Sequence, residues 1–179
     1  MQLSGLNIEK LEAGIRDIID FPQPGVIYKD ITPLLQDAVL FAAVVDLLAD
    51  RYQSCPPDYI AAIDARGFIF GGALAYRLHC GFIPIRKSGR LPFHTHTESY
   101  ELEYGSASMQ IHVDALKPRE TVVVFDDILA TGGTAAAAIR LLKKLDAEIV
   151  GTEFLMELGF LNGREQLQPV PVNSLIRIS

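Results

Sequence analysis

Apolar positions along this chain change their spacing several times, and each change marks an element. Ile8, Leu11, Ile15 and Ile18 fall on one helical face, which predicts an amphipathic helix opening at Asn7 and ending near Asp20. Phe21-Pro22-Gln23-Pro24-Gly25 breaks it with a stiff, shaped loop. Val26-Ile27-Tyr28 reads as a short strand. Helical spacing returns at Val39, Leu40, Val44, Leu47 and Leu48, predicting a helix over 37–53 that Pro56-Pro57 stops. Three later segments, Tyr59 to Ile63, Gly81 to Ile85 and Val122 to Phe125, are continuously apolar. That is the signature of strands buried on both faces of a parallel sheet. Helical segments follow two of them, Phe68 to Leu78 and Ala135 to Leu145. Tyr100, Leu102 and Tyr104 alternate with acids, and Met109, Ile111 and Val113 alternate after Gly105-Ser106, which predicts a β-hairpin. Glu148 to Glu157 reads as another strand, Leu158 to Gln168 as a loop with a short helix, and Ser174 to Ile178 as a closing strand. Arg164, inside that loop, has no assigned role. Strands alternating with helices predict an α/β fold with a central, mostly parallel sheet flanked by helices.

Composition narrows the class. A chain of 179 residues suits one domain with a sizeable core. The apolar runs are too short to span a membrane, and Leu3 to Ile15 is amphipathic and polar, unlike a secretory signal. The net charge of −6 argues against general nucleic-acid binding. Cys55 and Cys80 show no metal or redox spacing, so a reducing, cytoplasmic setting is expected.

The chemistry concentrates at Thr121 to Thr134. A buried strand leads into Asp126-Asp127, then a small-residue loop, Ala130-Thr131-Gly132-Gly133-Thr134, and a helix start. Gly132 and Gly133 can adopt positive φ and let backbone N–H groups converge. With the free N–H groups of the helix they make a site for a phosphate dianion, and Thr131 and Thr134 add hydroxyl donors. The two carboxylates would repel that phosphate, and suit hydroxyls or a metal ion beside it. A phosphate next to a diol is a ribose phosphate. No Gly-Lys-Ser/Thr ending is present and no G-x-G-x-x-G follows a strand, which disfavours nucleoside-triphosphatase and dinucleotide sites.

Asp126 to Thr134 resembles the phosphoribosyl-pyrophosphate signature of type I phosphoribosyltransferases, and its Ala-Thr-Gly-Gly-Thr form is most similar to the adenine branch. Three other stretches carry the same resemblance. Phe21 to Leu35 is similar to that branch's N-terminal hood over the base, where backbone groups around Ile27 would read the adenine edge; Ile27 and Lys29 are assigned to substrate on that basis. A fixed carbonyl accepts from an exocyclic amine and rejects a 6-oxo purine. Asp64 to Gly71 resembles the pyrophosphate loop, with Arg66 its cation and Ala65–Arg66 the expected site of a cis peptide. On the residues alone, a lone arginine at a sheet edge is more often a surface ion pair. Leu102 to Gly105 resembles a further signature, in which Glu103 would assist proton transfer.

The basic cluster Arg86-Lys87-Ser88-Gly89-Arg90 follows a strand, and the resemblance assigns Arg86 and Lys87 to pyrophosphate, partly across a dimer interface. The segment from Leu91 to Ser99 departs from the family, with His94 where many relatives carry Glu; it reads as a mobile flap. His94 and His96 offer two metal ligands with no third nearby.

The resemblance implies the type I phosphoribosyltransferase fold in a single domain over 1–179, with a hood at 1–34 and a flap at 88–113. It implies transfer of the 5-phosphoribosyl group from phosphoribosyl pyrophosphate to adenine, giving AMP and pyrophosphate, by a homodimer with Mg²⁺ held mainly by substrate and water. Asp126 and Asp127 would hold ribose hydroxyls, Ala130 to Thr134 the 5′-phosphate, and Ile128 would pack on the base. Two rivals are a transferase for hypoxanthine or guanine and a non-catalytic sensor of the sugar diphosphate.

Overall fold

The computed structural model describes residues 8–101 and 106–179. The core strands lie where the apolar runs predict. β3 (Tyr59–Ile63), β4 (Gly81–Lys87), β7 (Thr121–Leu129), β8 (Glu148–Leu158) and β9 (Val172–Ile178) join the hairpin β5 (Thr95–Glu101) and β6 (Ser106–His112) in a seven-stranded sheet ordered β5-β6-β4-β3-β7-β8-β9. The five strands from β4 to β9 pair in parallel, and β6 joins β4 antiparallel to carry the hairpin at the edge.

Alternate residues of the central strands enter two different cores. Val122 and Val124 pack with Ala61 and Ile63 against α5 (Gly133–Lys144), whose Ala135 to Ala138, Ile139 and Leu142 are buried. Val123 and Phe125 pack with Ile60 and Ala62 against α3 (Ala38–Asp50) and α4 (Gly67–Leu78). Both faces are therefore dry, as the unbroken apolar runs require. Asp37 caps α3, its carboxylate accepting from the Val39 and Leu40 N–H groups at 2.8 and 3.1 Å.

The N-terminal segment differs from its predicted form. Helix α1 spans only Ile8–Ala13, and β1 (Arg16–Ile19) turns back on β2 (Ile27–Asp30) as a separate antiparallel ribbon. Ile18 and Ile19 thus belong to a strand, and Ile19 is 74% exposed. Helical spacing persists on paper, but pairing with β2 and the ion pairs Arg16–Asp30 (2.8 Å) and Lys29–Asp17 (2.7 Å) win. A five-residue helix, α2 (Thr32–Gln36), follows β2. Strand β7 also runs further than expected. Asp126 and Asp127 lie inside it, opposite β8, rather than beyond its end. Among the described residues no helix is long and apolar enough to cross a membrane.

Candidate active site

The C-terminal ends of β3, β4 and β7 and the hairpin β5–β6 enclose a cavity of about 600 Å³. Ligands of open α/β sheets bind at this end of the strands. Asp126 and Asp127 form its floor, with Arg66, Lys87, Ile128 and Thr134 around them. The floor can come this close to α4 because residue 67 is glycine. A Cβ there would lie 2.9 Å from Asp126 Oδ1 and 3.2 Å from the Phe125 carbonyl oxygen.

The loop from β3 to α4 aims Arg66 inward. Its Nε lies 2.9 Å from Asp127 Oδ2. Its Nη1 donates to the Tyr28 hydroxyl, and its guanidinium carbon sits 5.0 Å from the Tyr28 ring centre. Arg66 thereby links the β1–β2 ribbon to the acid pair. The cis peptide of this loop is Asp64–Ala65, one bond earlier than the expected Ala65–Arg66. Asp64, 5% exposed in its side chain, faces Arg86 Nε at 3.4 Å and Arg90 Nη1 at 3.7 Å.

Burial, and after it the charge of Asp127, pushes the Asp126 carboxyl well above its ordinary range. Asp127 is raised by burial too, while Arg66 pulls it down. The Asp127 N–H donates to Asp126 Oδ1 at 2.9 Å, but Asp127 Oδ2 has no well-aligned hydrogen-bond donor despite Arg66 beside it. The pair is short of donors. Hydroxyls or a hard cation would satisfy it.

A smaller cavity of about 120 Å³ continues from this floor, lined by Asp126, Ile128, Ala130, Thr131, Gly132 and Thr134. Gly132 takes φ +88° at the N-cap of α5. The first bond back to it comes from the Ala136 N–H, so the N–H groups of the preceding turn have no partner within the helix. Free donors and the positive end of the helix meet in a space the size of one phosphate.

Most of the predicted site residues therefore converge. Arg66, Lys87, Asp126, Asp127, Ile128 and Thr134 share the larger cavity, and Ala130, Thr131 and Gly132 the smaller. Gly133 faces a third depression, with Thr131, Arg140 and Gln166. Arg86 borders the site through Asp64 and through its 3.0 Å bond to the Arg90 carbonyl. Ile27 is 54% exposed, and Lys29 pairs with Asp17 in a separate depression beside the end of β9. Glu103 lies outside the described residues. The His94 ring lies 4.8 Å from that of Phe93, tilted by 59°, and no group of three or more His, Cys, Asp or Glu gathers to hold a metal among the described residues.

Three participants escaped sequence reading. Asp64 and Tyr28 lie inside stretches singled out for other residues, and nothing local marks them. Tyr100, spaced like an ordinary strand residue, lines the cavity beside the Thr134 hydroxyl and the Asp126 charge.

The Phosphoribosyl transferase domain family matches residues 32–169. Adenine phosphoribosyltransferase of Acidothermus cellulolyticus is 51% identical over 170 residues, spanning 95% of this chain and 96% of that protein. The chain belongs to the adenine phosphoribosyltransferase family. The crystal structure of the Thermoanaerobacter pseudethanolicus member superposes with a TM-score of 0.93 at 46% identity, covering 96% of this chain and all of that one (100%). The Saccharomyces cerevisiae member, solved with an imino-altritol bisphosphate and adenine, gives a TM-score of 0.89 at 37% identity over 94% of this chain and 97% of that one.

Proposed function

We propose that the chain transfers the 5-phosphoribosyl group from phosphoribosyl pyrophosphate to adenine, giving AMP and pyrophosphate. One observation carries this reading: an acid pair short of donors lies between an arginine and a phosphate-sized pocket at a helix N-terminus. A ribose 5-phosphate with an anionic leaving group matches those three features in that order.

Asp126 and Asp127 accept from the ribose hydroxyls. The Ala130 to Thr134 loop holds the 5′-phosphate. Arg66, Arg86 and Lys87 neutralise the leaving pyrophosphate. The ribbon carrying Ile27 and Lys29 covers the base, with Ile128 packed against it, and Tyr28 couples this hood to Arg66. Glu103 assists proton transfer at the base. N9 of adenine attacks the anomeric carbon as the C–O bond to pyrophosphate breaks, with inversion. No side-chain nucleophile is needed, and alignment and fixed charges supply the rate enhancement.

The two carboxyls fit Mg²⁺ as partial ligands, with substrate oxygens and water completing a hard, oxygen-only shell. When bound, the ion supplies charge neutralisation on the leaving group. A homodimer fits the apolar side chains left in the open on α4, Ile69 at 41% and Tyr76 at 82% exposure. A cytoplasmic location fits the free thiols Cys55 and Cys80. The hood (1–34) and flap (88–113) act as parts of one transferase domain.

The test is turnover of purified protein with Mg²⁺, phosphoribosyl pyrophosphate and either adenine or hypoxanthine. Adenine should be strongly preferred. Equal turnover of hypoxanthine, or none of either base, defeats the reading.

A further inference from the structure

We propose that Arg164 and Glu157 are positioning residues for the phosphate loop, acting through Gly163. The inference rests on the reading above, in which that loop takes the 5′-phosphate.

Glu157 lies near the end of β8 and is 1% exposed. Arg164, in the 3-10 turn Gly163–Leu167, grips it with a two-pronged fork: Nε to Oε1 at 2.6 Å and Nη2 to Oε2 at 2.6 Å. The same guanidinium donates from Nη1 to the Val172 carbonyl at 2.7 Å and from Nη2 to Ser174 Oγ at 3.1 Å. Ser174 Oγ donates in turn to Glu157 Oε2 at 2.9 Å. With Glu157 buried and Arg164 39% exposed, the pair adds little net stability, because desolvation of the carboxylate offsets most of the attraction. It does fix geometry, since the planar fork allows one orientation.

That geometry is transmitted to the loop by contact between two backbones. A Cβ on Gly163 would lie 2.2 Å from the Ala130 carbonyl oxygen and 3.1 Å from the Gly132 nitrogen. A Cβ on Gly132 would lie 2.4 Å from the Gly163 carbonyl oxygen. The 3-10 turn is the rear wall of the loop, with no side chain between them. Both sides of the contact are referenced to Glu157. Its backbone sits opposite Leu129, the residue before Ala130, and its side chain holds Arg164, the residue after Gly163. Releasing the fork frees the wall, and the loop's N–H groups lose their fixed convergence.

The experiment measures calorimetric Kd for ribose 5-phosphate and for pyrophosphate. Arg164→Ala should weaken ribose 5-phosphate by about tenfold or more, the lower end of the scale for losing a residue that orients metal ligands. Pyrophosphate, held elsewhere, should stay within about twofold. Arg164→Lys keeps the charge without the fork and should recover only part of the loss. Gly163→Ala leaves every charge in place, pushes on the Ala130 carbonyl, and should give the same selective loss. Ser174→Ala removes the hydroxyl's two hydrogen bonds but leaves the fork, and should show a smaller loss in the same direction, should Arg164→Ala not fold. Variants that bind ribose 5-phosphate as the wild type does, or that lose both ligands equally, overturn the proposal. Wild-type protein that fails to bind ribose 5-phosphate instead sinks the functional reading beneath it.

Discussion

Replacing Asp126 by Asn should make the ligand-free protein more stable while disabling it. Asn has the same shape, so the tight fit against Gly67 is kept, and its Oδ1 still accepts from the Asp127 N–H now bonded at 2.9 Å. What disappears is a half-buried charge that faces a second carboxylate. Repulsion between two like charges a few ångströms apart at a partly wet site is on the order of 1–3 kcal/mol. For a chain of this size each kcal/mol moves the midpoint by about 3 °C, so the variant should melt about 3–9 °C higher at pH 8. The sign of the pH dependence follows from linkage. Both acids are raised, so the folded state keeps protons that the unfolded chain releases near pH 4. Wild-type stability is full below that value and is lost as pH rises through the raised pKa values. The Asn variant lacks the larger share of this loss, so its advantage should grow from about pH 5 to pH 8. Calorimetry of both proteins without ligand or Mg²⁺, over that range, reads the effect. A variant no more stable than wild type at pH 8, or one with the same advantage at both ends, refutes the reasoning. Turnover should drop by at least about tenfold, equivalent to about 1.4 kcal/mol of transition-state stabilisation.

Two further predictions concern parts that sequence alone did not mark. Tyr28→Phe keeps the ring beneath Arg66 and removes the hydroxyl that Arg66 Nη1 meets; stability should change by no more than about 1 kcal/mol, while KM for phosphoribosyl pyrophosphate rises several-fold in steady-state assays. An unchanged KM means that Asp127 alone positions Arg66. Glu98→Gln weakens the clamp that holds β5 to α5, where Glu98 meets Arg140 at 2.6 Å and Lys144 at 2.7 Å. Half-exposed pairs of this kind contribute about 0.5–1 kcal/mol, so amide exchange over 95–100 should accelerate about two- to five-fold at low salt. Because Lys144 and Arg140 hold the Glu98 carboxyl below its usual range, the wild-type clamp should persist at neutral pH and fail only as pH falls through that depressed value.

How much was legible depended on whether the information was local. Three of the core strands, β3, β4 and β7, could be read because burial on both faces demands unbroken apolar runs, a property of neighbouring residues, and the helices α3, α4 and α5 from their spacing and helix propensity. The conformation of the Gly132 loop could be read for the same reason. Positive φ at Gly132, small residues behind it and a helix start are all requirements on one short segment. Of the ribbon, the short strand near Ile27 was legible but β1 at Arg16–Ile19 was not, because its helix-like spacing was overruled by partners eight to fourteen residues further on. The expected cis bond fell one residue off.

The amino-acid order by itself determined the fold class, through the alternation of strand-like and helix-like segments, and set the acid pair just before the Gly132 loop, which needs only particular residue types in immediate succession. The tertiary structure alone decided which distant groups serve them: Tyr28 on Arg66, Asp64 between two arginines, Gly163 behind Gly132. Those pairings arise from strand order and close backbone approach, and no spacing along the chain encodes them.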